Sequence, residues 1–555
     1  MPLFNNKVAT LGLTMAQVGS GLGYQNAIYK ILNCEIEPEK IYIDILFHRM
    51  GFEKLDLDWY VSNSQYVLYT SRKAIMQLIK EDKLEEARQL ILQYDPTNKL
   101  SNPHKQFKLY ANTLIHEKNG ASSSGLVNLY KAVIQSTVPN FEEVPIIDLL
   151  LTQAELYFIL EYIRHIKSID YNKAINLYFE VLAFLERNDI VSVWTKSIYY
   201  PKVIINLEEY FVSENKEDEL LPLCDKAIIY LTQKYRFGEL SLILKIKINA
   251  LEKINKTDDE YKKAVSLYNE IVNVYLYAEV PINFDDKYDL YKWVDVYNIG
   301  ETIKARRTLL DMSQAKLAEN ICSQHAIFRA EKKKSSPHVQ VVREILTKLN
   351  LYGDVISART PFVGDDIFLL NEKVSELFLT QKYDEMQLYL NQLEQQIDMN
   401  DKHNIQCVGT KIKFLELKDG KITVQDYYKY LVDALALTTN IQNILLKPTQ
   451  IHLSHNELEL VANIINALGK MGVREDTFKW IKAMETYLEQ TNGEVLSVER
   501  HIYVSNMIAS AYRNLGEVDL CHSKAYKILV YAISNNCWKG LSTTLDALGK
   551  NYAIY

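Results

Sequence analysis

The sequence predicts an all-α protein built from two tandem copies of one module, each a head of short helices followed by an α-solenoid of paired helices. Three observations lead there. The 555 residues include only 12 Pro and 19 Gly, 48% are apolar, and no short run alternates in the way a half-buried strand does. An offset of 299 residues lays position 13 on position 312, so that Leu13-Thr14-Met15-Ala16 meets Met312-Ser313-Gln314-Ala315. At that offset Leu11 also meets Leu310, Gln25 meets Gln324, Ala27-Ile28 meets Ala326-Ile327 and Pro38 meets Pro337. Behind each head, apolar residues recur at helical spacing. The expected boundaries are 1–52 for a first, degenerate head, 53–295 for a helical-repeat domain, 296–350 for a second head and 351–555 for a second repeat domain.

Composition narrows the setting. The 38 Tyr fall at helical spacing, as at Tyr268, Tyr275 and Tyr277, which reads as filling between helices. The six cysteines (34, 224, 322, 407, 521 and 537) form no CxxC pair and have no histidines at metal-ligand spacing, so buried thiols in a reducing compartment are expected, with no metal and no cofactor. No apolar leader opens the chain, and no uncharged stretch reaches spanning length. A soluble, cytoplasmic protein without membrane contact is therefore expected. The net charge of −7 argues against any global attraction to nucleic acid, so local charge decides.

The second head reads as four helices in order. Glu301–Leu310 carries Ile303, Leu309 and Leu310 on one side. Ser313 is placed to cap a second helix, Gln314–Asn320, that buries Ala315, Leu317 and Ala318. Ser323 caps a third, from Gln324 to about Lys332, that buries Ala326, Ile327 and Ala330. Pro337 breaks the chain, and Val339, Val342, Ile345, Leu346 and Leu349 line a fourth. A short helix pair whose later member begins on a capped, projecting end is the helix-turn-helix arrangement.

The residues Ser313-Gln314-x-x-Leu317-Ala318, then Ser323-Gln324-x-x-Ile327-x-Arg329-x-Glu331 and Pro337, resemble the Cro/repressor-type (Xre) helix-turn-helix over about fifty residues. The resemblance implies double-stranded DNA as partner. One residue departs from it: Lys333 stands where that family usually has Gly, which questions the turn after the third helix.

Charge agrees independently. Residues 301–350 hold ten Lys and Arg against five Asp and Glu, inside an acidic chain. Lys332, Lys333 and Lys334, with Arg306 and Arg307, suit phosphate neutralisation. Gln314, Ser323 and Gln324 sit at helix starts, where they can hold phosphate or base edges. Gln324, His325, Phe328 and Arg329 are the candidates for base contact, Gln toward adenine, Arg toward guanine and Phe toward a thymine methyl. The competing reading is a protein-interaction bundle whose lysine run is a solvated face.

The first head keeps the apolar frame and loses the charge. Residues 1–50 carry four basic and four acidic residues. Asn33-Cys34-Glu35 stands where the second head has three lysines, and Met15 replaces Gln314. A packing or dimerisation role is expected, with weak DNA contact through Gln25 and Asn26 as the alternative. Gly19-Ser20-Gly21-Leu22-Gly23 imitates a nucleotide loop, but no strand precedes it, so it reads as a loosened turn.

In 351–555, Val461, Ile464, Ile465, Leu468 and Gly472 recur as Ser505, Ile508, Ala509, Tyr512 and Gly516, which resembles a lengthened, degenerate tetratricopeptide repeat. That register puts Glu459, Asn466 and Lys470, and then Tyr503, Asn506, Ser510 and Arg513, on an inner face where Asn side chains could hold an extended backbone; helix-surface solvation is the alternative. A Cro-type head joined to such a domain is similar to the peptide-responsive Rgg and PlcR group. That resemblance implies transcription control, homodimerisation and a short signalling peptide or protein ligand in the concavity. The doubled module departs from the group. Two fused copies form an internal pseudo-dimer with one competent reader, or pair again as a homodimer with two.

No His/Asp/Ser or Cys/His grouping, metal spacing or phosphate loop is present, so no catalysis is expected; His165 and His501 read as core or helix-surface residues. The two readings left are a DNA-binding regulator and a non-catalytic scaffold or antagonist with structural heads.

Overall fold

A computed structural model describes residues 7–23, 39–52, 58–96, 102–282, 286–352, 356–357, 365–491 and 496–552. The fold is all-α, as expected. It divides into two compact units: Met1–Leu55 with Val67–Lys292, and Asp56–Tyr66 with Trp293–Tyr555.

In the first unit the head contributes α1 (Met15–Val18) and α2 (Lys40–Arg49). Helix α3 (Asn63–Lys80) leads into α4 (Leu84–Gln93), α5 (Asn102–Lys118), α6 (Ser123–Gln135), α7 (Gln153–Lys167), α8 (Tyr171–Leu185), α9 (Val193–Ser213), α10 (Glu217–Gln233), α11 (Phe237–Lys253) and α12 (Asp259–Tyr277). Consecutive members pack side by side, as a solenoid requires. Five of the starts have a local cause: Ser122, Thr152, Asp170, Ser192 and Asp258 accept hydrogen bonds from first-turn N–H groups. Tyr275 is buried between helices as expected, whereas Tyr277 is exposed.

The second unit contains a small sheet that composition did not reveal. Strand β1 (Asp58–Val61) is central, parallel to β2 (Val296–Asn298) and antiparallel to β3 (Ile356–Ser357). These strands are too short to leave a period-2 pattern, and all of β1 and β2 is buried. Arg500 fastens the sheet: its Nη1 lies 2.6 Å from Asp58 and 3.3 Å from Asp295.

The head of this unit is α13 (Ile299–Leu309), α14 (Gln314–Ala318), α15 (Gln324–Glu331) and α16 (Val339–Lys348). Beyond β3 run α17 (Asp365–Leu379), α18 (Tyr383–Glu394), α19 (Lys402–Asn404), a π-turn (Ile405–Gly409), α20 (Thr410–Lys418), α21 (Val424–Ala436), α22 (Ile441–Leu446), α23 (His455–Lys470), α24 (Arg474–Thr491), α25 (Val498–Asn514), α26 (Val518–Ser534) and α27 (Leu541–Tyr552). The repeat seen in the sequence is real in backbone terms. Gly472 and Gly516 close α23 and α25 at φ +71° and +76°, the left-handed conformation that ends a helix without a Cβ penalty.

Candidate nucleic-acid interface

The second head is held together by Ile299, Ile303, Leu317, Ala318, Ile327, Ala330, Val342, Ile345, Leu346 and Leu349, with Tyr60 and Tyr297 from the sheet closing the same cluster. Helix starts follow the sequence. The Ser313 side chain accepts from Lys316 N–H at 3.1 Å, and Ser323 from Ala326 N–H at 3.2 Å. Gly300 sits where an added Cβ would lie 2.1 Å from the Ala330 carbonyl oxygen. Only glycine lets α13 approach the end of α15 so closely. Helix α14 stops at Ala318, two residues before its expected end. Ala315 is exposed and Ala326 half-buried, so the apolar stripe is narrower than the sequence suggested.

With Ile327 and Ala330 turned into the core, helix periodicity sends Gln324, His325, Phe328 and Arg329 outward, and all four are exposed. Phe328 keeps 37% of its surface in water, and the His325 ring stacks over it with centroids 6.0 Å apart. Lys332, Lys333 and Lys334 follow directly and are exposed. Lys333 pairs with Glu301, while among the described residues no ion pair engages Arg329, Lys332 or Lys334.

The turn that Lys333 placed in doubt adopts the ordinary glycine geometry. Lys333 has φ +59°, its N–H donates to the Ala330 carbonyl, and Lys334 N–H donates to the Arg329 carbonyl. The backbone path is kept and the side chain bears the strain.

Three expected contact residues are placed differently. Arg306 is fully buried and cannot reach a duplex. Its Nη1 lies 2.6 Å from Glu457 Oε2 and 3.1 Å from the His452 carbonyl oxygen, and its Nη2 donates to the carbonyls of Leu349 at 3.0 Å and Thr438 at 3.1 Å. At a position on one face of a polar helix, spacing cannot tell a solvated arginine from an anchoring one. Arg307 is held by Glu331 through both Nε (2.7 Å) and Nη2 (3.1 Å), and Gln314 Nε2 donates to the same carboxylate at 2.7 Å. Glu331 thus ties the first, second and third head helices together and neutralises Arg307.

Glu457 belongs to a relay that sequence reading missed. Gln406 Nε2 donates to Thr438 Oγ1 (2.7 Å), and that hydroxyl donates to Glu457 Oε1 (2.7 Å). The first unit repeats it. Gln106 Nε2 donates to Thr137 Oγ1 (2.6 Å), Thr137 donates to Glu155 Oε1 (2.6 Å), and Arg49 Nη2 meets the same oxygen at 2.6 Å. Arg49 also holds the carbonyls of Val18 and Ser20 in its head. The arginine comes from α2, the last head helix, in one unit and from α13, the first, in the other. Burial opposes ionisation of Glu155 and Glu457, but the arginine charge and the hydrogen bonds from Thr137 and Thr438 prevail, and both carboxyls sit below the usual range. A signal was present: both glutamates are the third helical residue of a capping box, Thr152-x-x-Glu155 and Ser454-x-x-Glu457.

The residues expected on a ligand-facing surface are mostly committed elsewhere. Asn506 is buried, donating to the Gly540 carbonyl (3.0 Å) and accepting from Thr544 Oγ1 (2.7 Å), so both ends of its amide serve the packing of α25 on α27. Ser510 is buried, Arg513 pairs with Asp546 at 3.1 Å, and Asn466 Oδ1 accepts from Asn514. Tyr503 OH accepts from Asn463 Nδ2, and Glu459 lies 3.7 Å from the buried Lys411 Nζ. Lys470 is exposed. A one-residue slip in a degenerate repeat turns each of these through about 100° of the helix wheel.

Gln25, Asn26 and the Asn33-Cys34-Glu35 stretch lie outside the described residues. Glu117, Glu161 and His165 bring ligand atoms within 4.8 Å of one another, but Arg164 Nη2 stands among them at 2.8, 2.7 and 3.0 Å, so a guanidinium fills the place of an ion. Among the described residues no helix is long and apolar enough to cross a membrane.

No protein-family profile matches this sequence, and no curated protein does. One similar solved structure is that of Bacillus thuringiensis PlcR in complex with the peptide PapR7 and DNA. It is 17% identical over 46% of this chain and 87% of that chain, with a TM-score of 0.29. A superposition that slight bears on no functional question.

Proposed function

We propose that this chain is a sequence-specific, non-catalytic DNA-binding transcriptional regulator that reads duplex DNA through its second head and answers to a peptide or protein ligand held by its helical repeats. The observation that carries this reading is the exposed face of α15. A capped helix presents Gln324, His325, Phe328 and Arg329 outward and runs into three lysines, on a head whose other side is packed away. The recurrence of one relay in both units supports reading them as copies of a single module. The fused copies then act as an internal pseudo-dimer or pair again as a homodimer. The alternative, a scaffold with structural heads, is favoured by one observation: Glu331 already occupies Arg307 and Gln314.

Selection of genomic DNA fragments by the purified chain separates the two. The regulator reading expects an enriched sequence whose affinity falls by about 1–3 kcal/mol in Arg329→Ala and in Gln324→Ala. Absence of enrichment, or enrichment indifferent to both substitutions, excludes it.

A further inference from the structure

Three acceptors converge on one nitrogen in the first unit. Arg164 Nη2 lies 2.8 Å from Glu117 Oε1, 2.7 Å from Glu161 Oε2 and 3.0 Å from His165 Nε2. That nitrogen carries two hydrogens and no lone pair, so it only donates, and three acceptors exceed what it can satisfy. A contact of 3.0 Å with such a donor makes His165 Nε2 the unprotonated nitrogen of its ring, its lone pair turned toward the guanidinium. Charge is short at the same point. Among the ion pairs of the described residues, Arg164 serves both Glu117 and Glu161, one monovalent cation for two carboxylates.

The ligand atoms are held by helices, and the guanidinium is not. Glu161 and His165 stand one turn apart on α7, on the face turned to Glu117 at the end of α5. The His165 ring is stacked on Tyr130 of α6, with centroids 5.7 Å apart and planes 21° from parallel, which fixes its orientation. His165, Glu161 and Glu117 keep 8%, 18% and 23% of their side chains in water, whereas Arg164 keeps 45% and can turn outward without opening the core. Beside them, Tyr178 of α8 is fully buried. Its hydroxyl has no hydrogen-bond partner among the described residues, and the charges it feels are those of Glu161 and Arg164. An unmet buried hydroxyl is rare because it is costly to leave dry.

We propose that Glu117, Glu161 and His165 bind a divalent first-row transition ion, zinc being the type, which takes the place of Arg164 Nη2 and turns the guanidinium out to solvent. Two carboxylate oxygens and a neutral imidazole nitrogen are a ligand set that such ions accept. Three protein ligands leave a fourth position for water, and the Tyr178 hydroxyl supplies a nearby donor. Zinc–ligand distances of about 2.0–2.2 Å require each atom to close by roughly 0.7 Å, a shift that side chains can make. A dication also matches the two carboxylates, and it would fasten the last turn of α5 to the last turns of α7. The site is independent of DNA reading by the second head.

The test titrates the full chain, stripped of metal by a chelator, with zinc chloride in a calorimeter. Saturable binding is expected. Arg164→Met removes the competing cation and is expected to tighten it about tenfold or more, whereas Glu117→Gln removes a ligand and is expected to weaken it about tenfold or more. A merely structural cluster moves neither affinity, or moves both the same way. Zinc is also expected to raise the thermal midpoint of the parent chain and to raise that of Glu117→Gln much less. The midpoints without zinc show whether each variant is folded. Absence of zinc binding in both the parent and Arg164→Met overturns the proposal, as does an affinity that Glu117→Gln leaves within about twofold. If Arg164→Met does not fold, the parent and Glu117→Gln decide by the same criteria.

Discussion

Arg306 Nη1 and Glu457 Oε2 meet at 2.6 Å with both side chains out of water, joining the first helix of the second head to the capped start of α23. Two further bonds bracket that joint, because Asp311 accepts from Asn440 (2.9 Å) and Asn443 (2.7 Å). The head is thus seated on its own solenoid by directional contacts, buried at Arg306 and Glu457 and exposed at Asp311.

Breaking the pair is expected to cost stability rather than DNA contact. Arg306→Met strands a buried carboxylate and is expected to destabilise the chain by about 3–5 kcal/mol in urea unfolding. Lys304→Met, on the exposed side of the same helix, is expected to stay within about 0.5 kcal/mol. A stable Arg306→Met protein with weakened DNA binding contradicts this assignment.

Acid is expected to loosen the same region. Burial, reinforced by the Arg306 charge, pushes the His452 imidazole down to about 4, between Tyr60 at 3.4 Å and the Tyr297 ring at 4.5 Å. Its folded pKa is below its unfolded value of about 6.5, so its contribution is whole above 6.5 and is lost as pH falls toward 4, amounting to about 3 kcal/mol. Glu155 and Glu457, also lowered, add their loss below the ordinary carboxyl range. Urea midpoints across pH 7 to 4 measure this. In His452→Phe the slope between 6.5 and 4 should flatten, and an unchanged slope assigns the effect elsewhere.

The left-handed turn after α15 gives a substitution that should improve the protein. Lys333→Gly relieves a non-glycine residue at φ +59° and is expected to stabilise the head by about 1 kcal/mol, read as a raised thermal midpoint. A lowered midpoint means that the Glu301 pair outweighs the strain.

Phosphate contact is expected to rest on the two lysines that flank that turn. Lys332→Gln with Lys334→Gln should reduce the slope of log affinity against log salt by about 2, with melting unchanged. A slope that stays fixed removes the lysine run from the interface.

The exposed face of α15 was legible in the sequence because its determinants are local. Ser323 caps, Ile327 and Ala330 repeat at helical spacing, and Arg329 and Lys332 follow from the same wheel. The anchoring face was not. Arg306 and Arg307 are neighbours with the same chemistry, yet one is dry and the other clasps Glu331. Likewise Asn506 looked ligand-facing by register and instead serves α27.

Capped helix starts and the sign of charge around α15 were written in the chain itself, since each depends on residues within a turn or two. The fate of individual polar groups depended on packing. Glu457 lies 151 residues from Arg306 and Glu155 lies 106 from Arg49, and no pattern of neighbours encodes which distant carboxylate will exclude water from a guanidinium. Short strands escaped notice for the same reason: β1 is a strand because β2 and β3 meet its backbone, not because its four residues demand it.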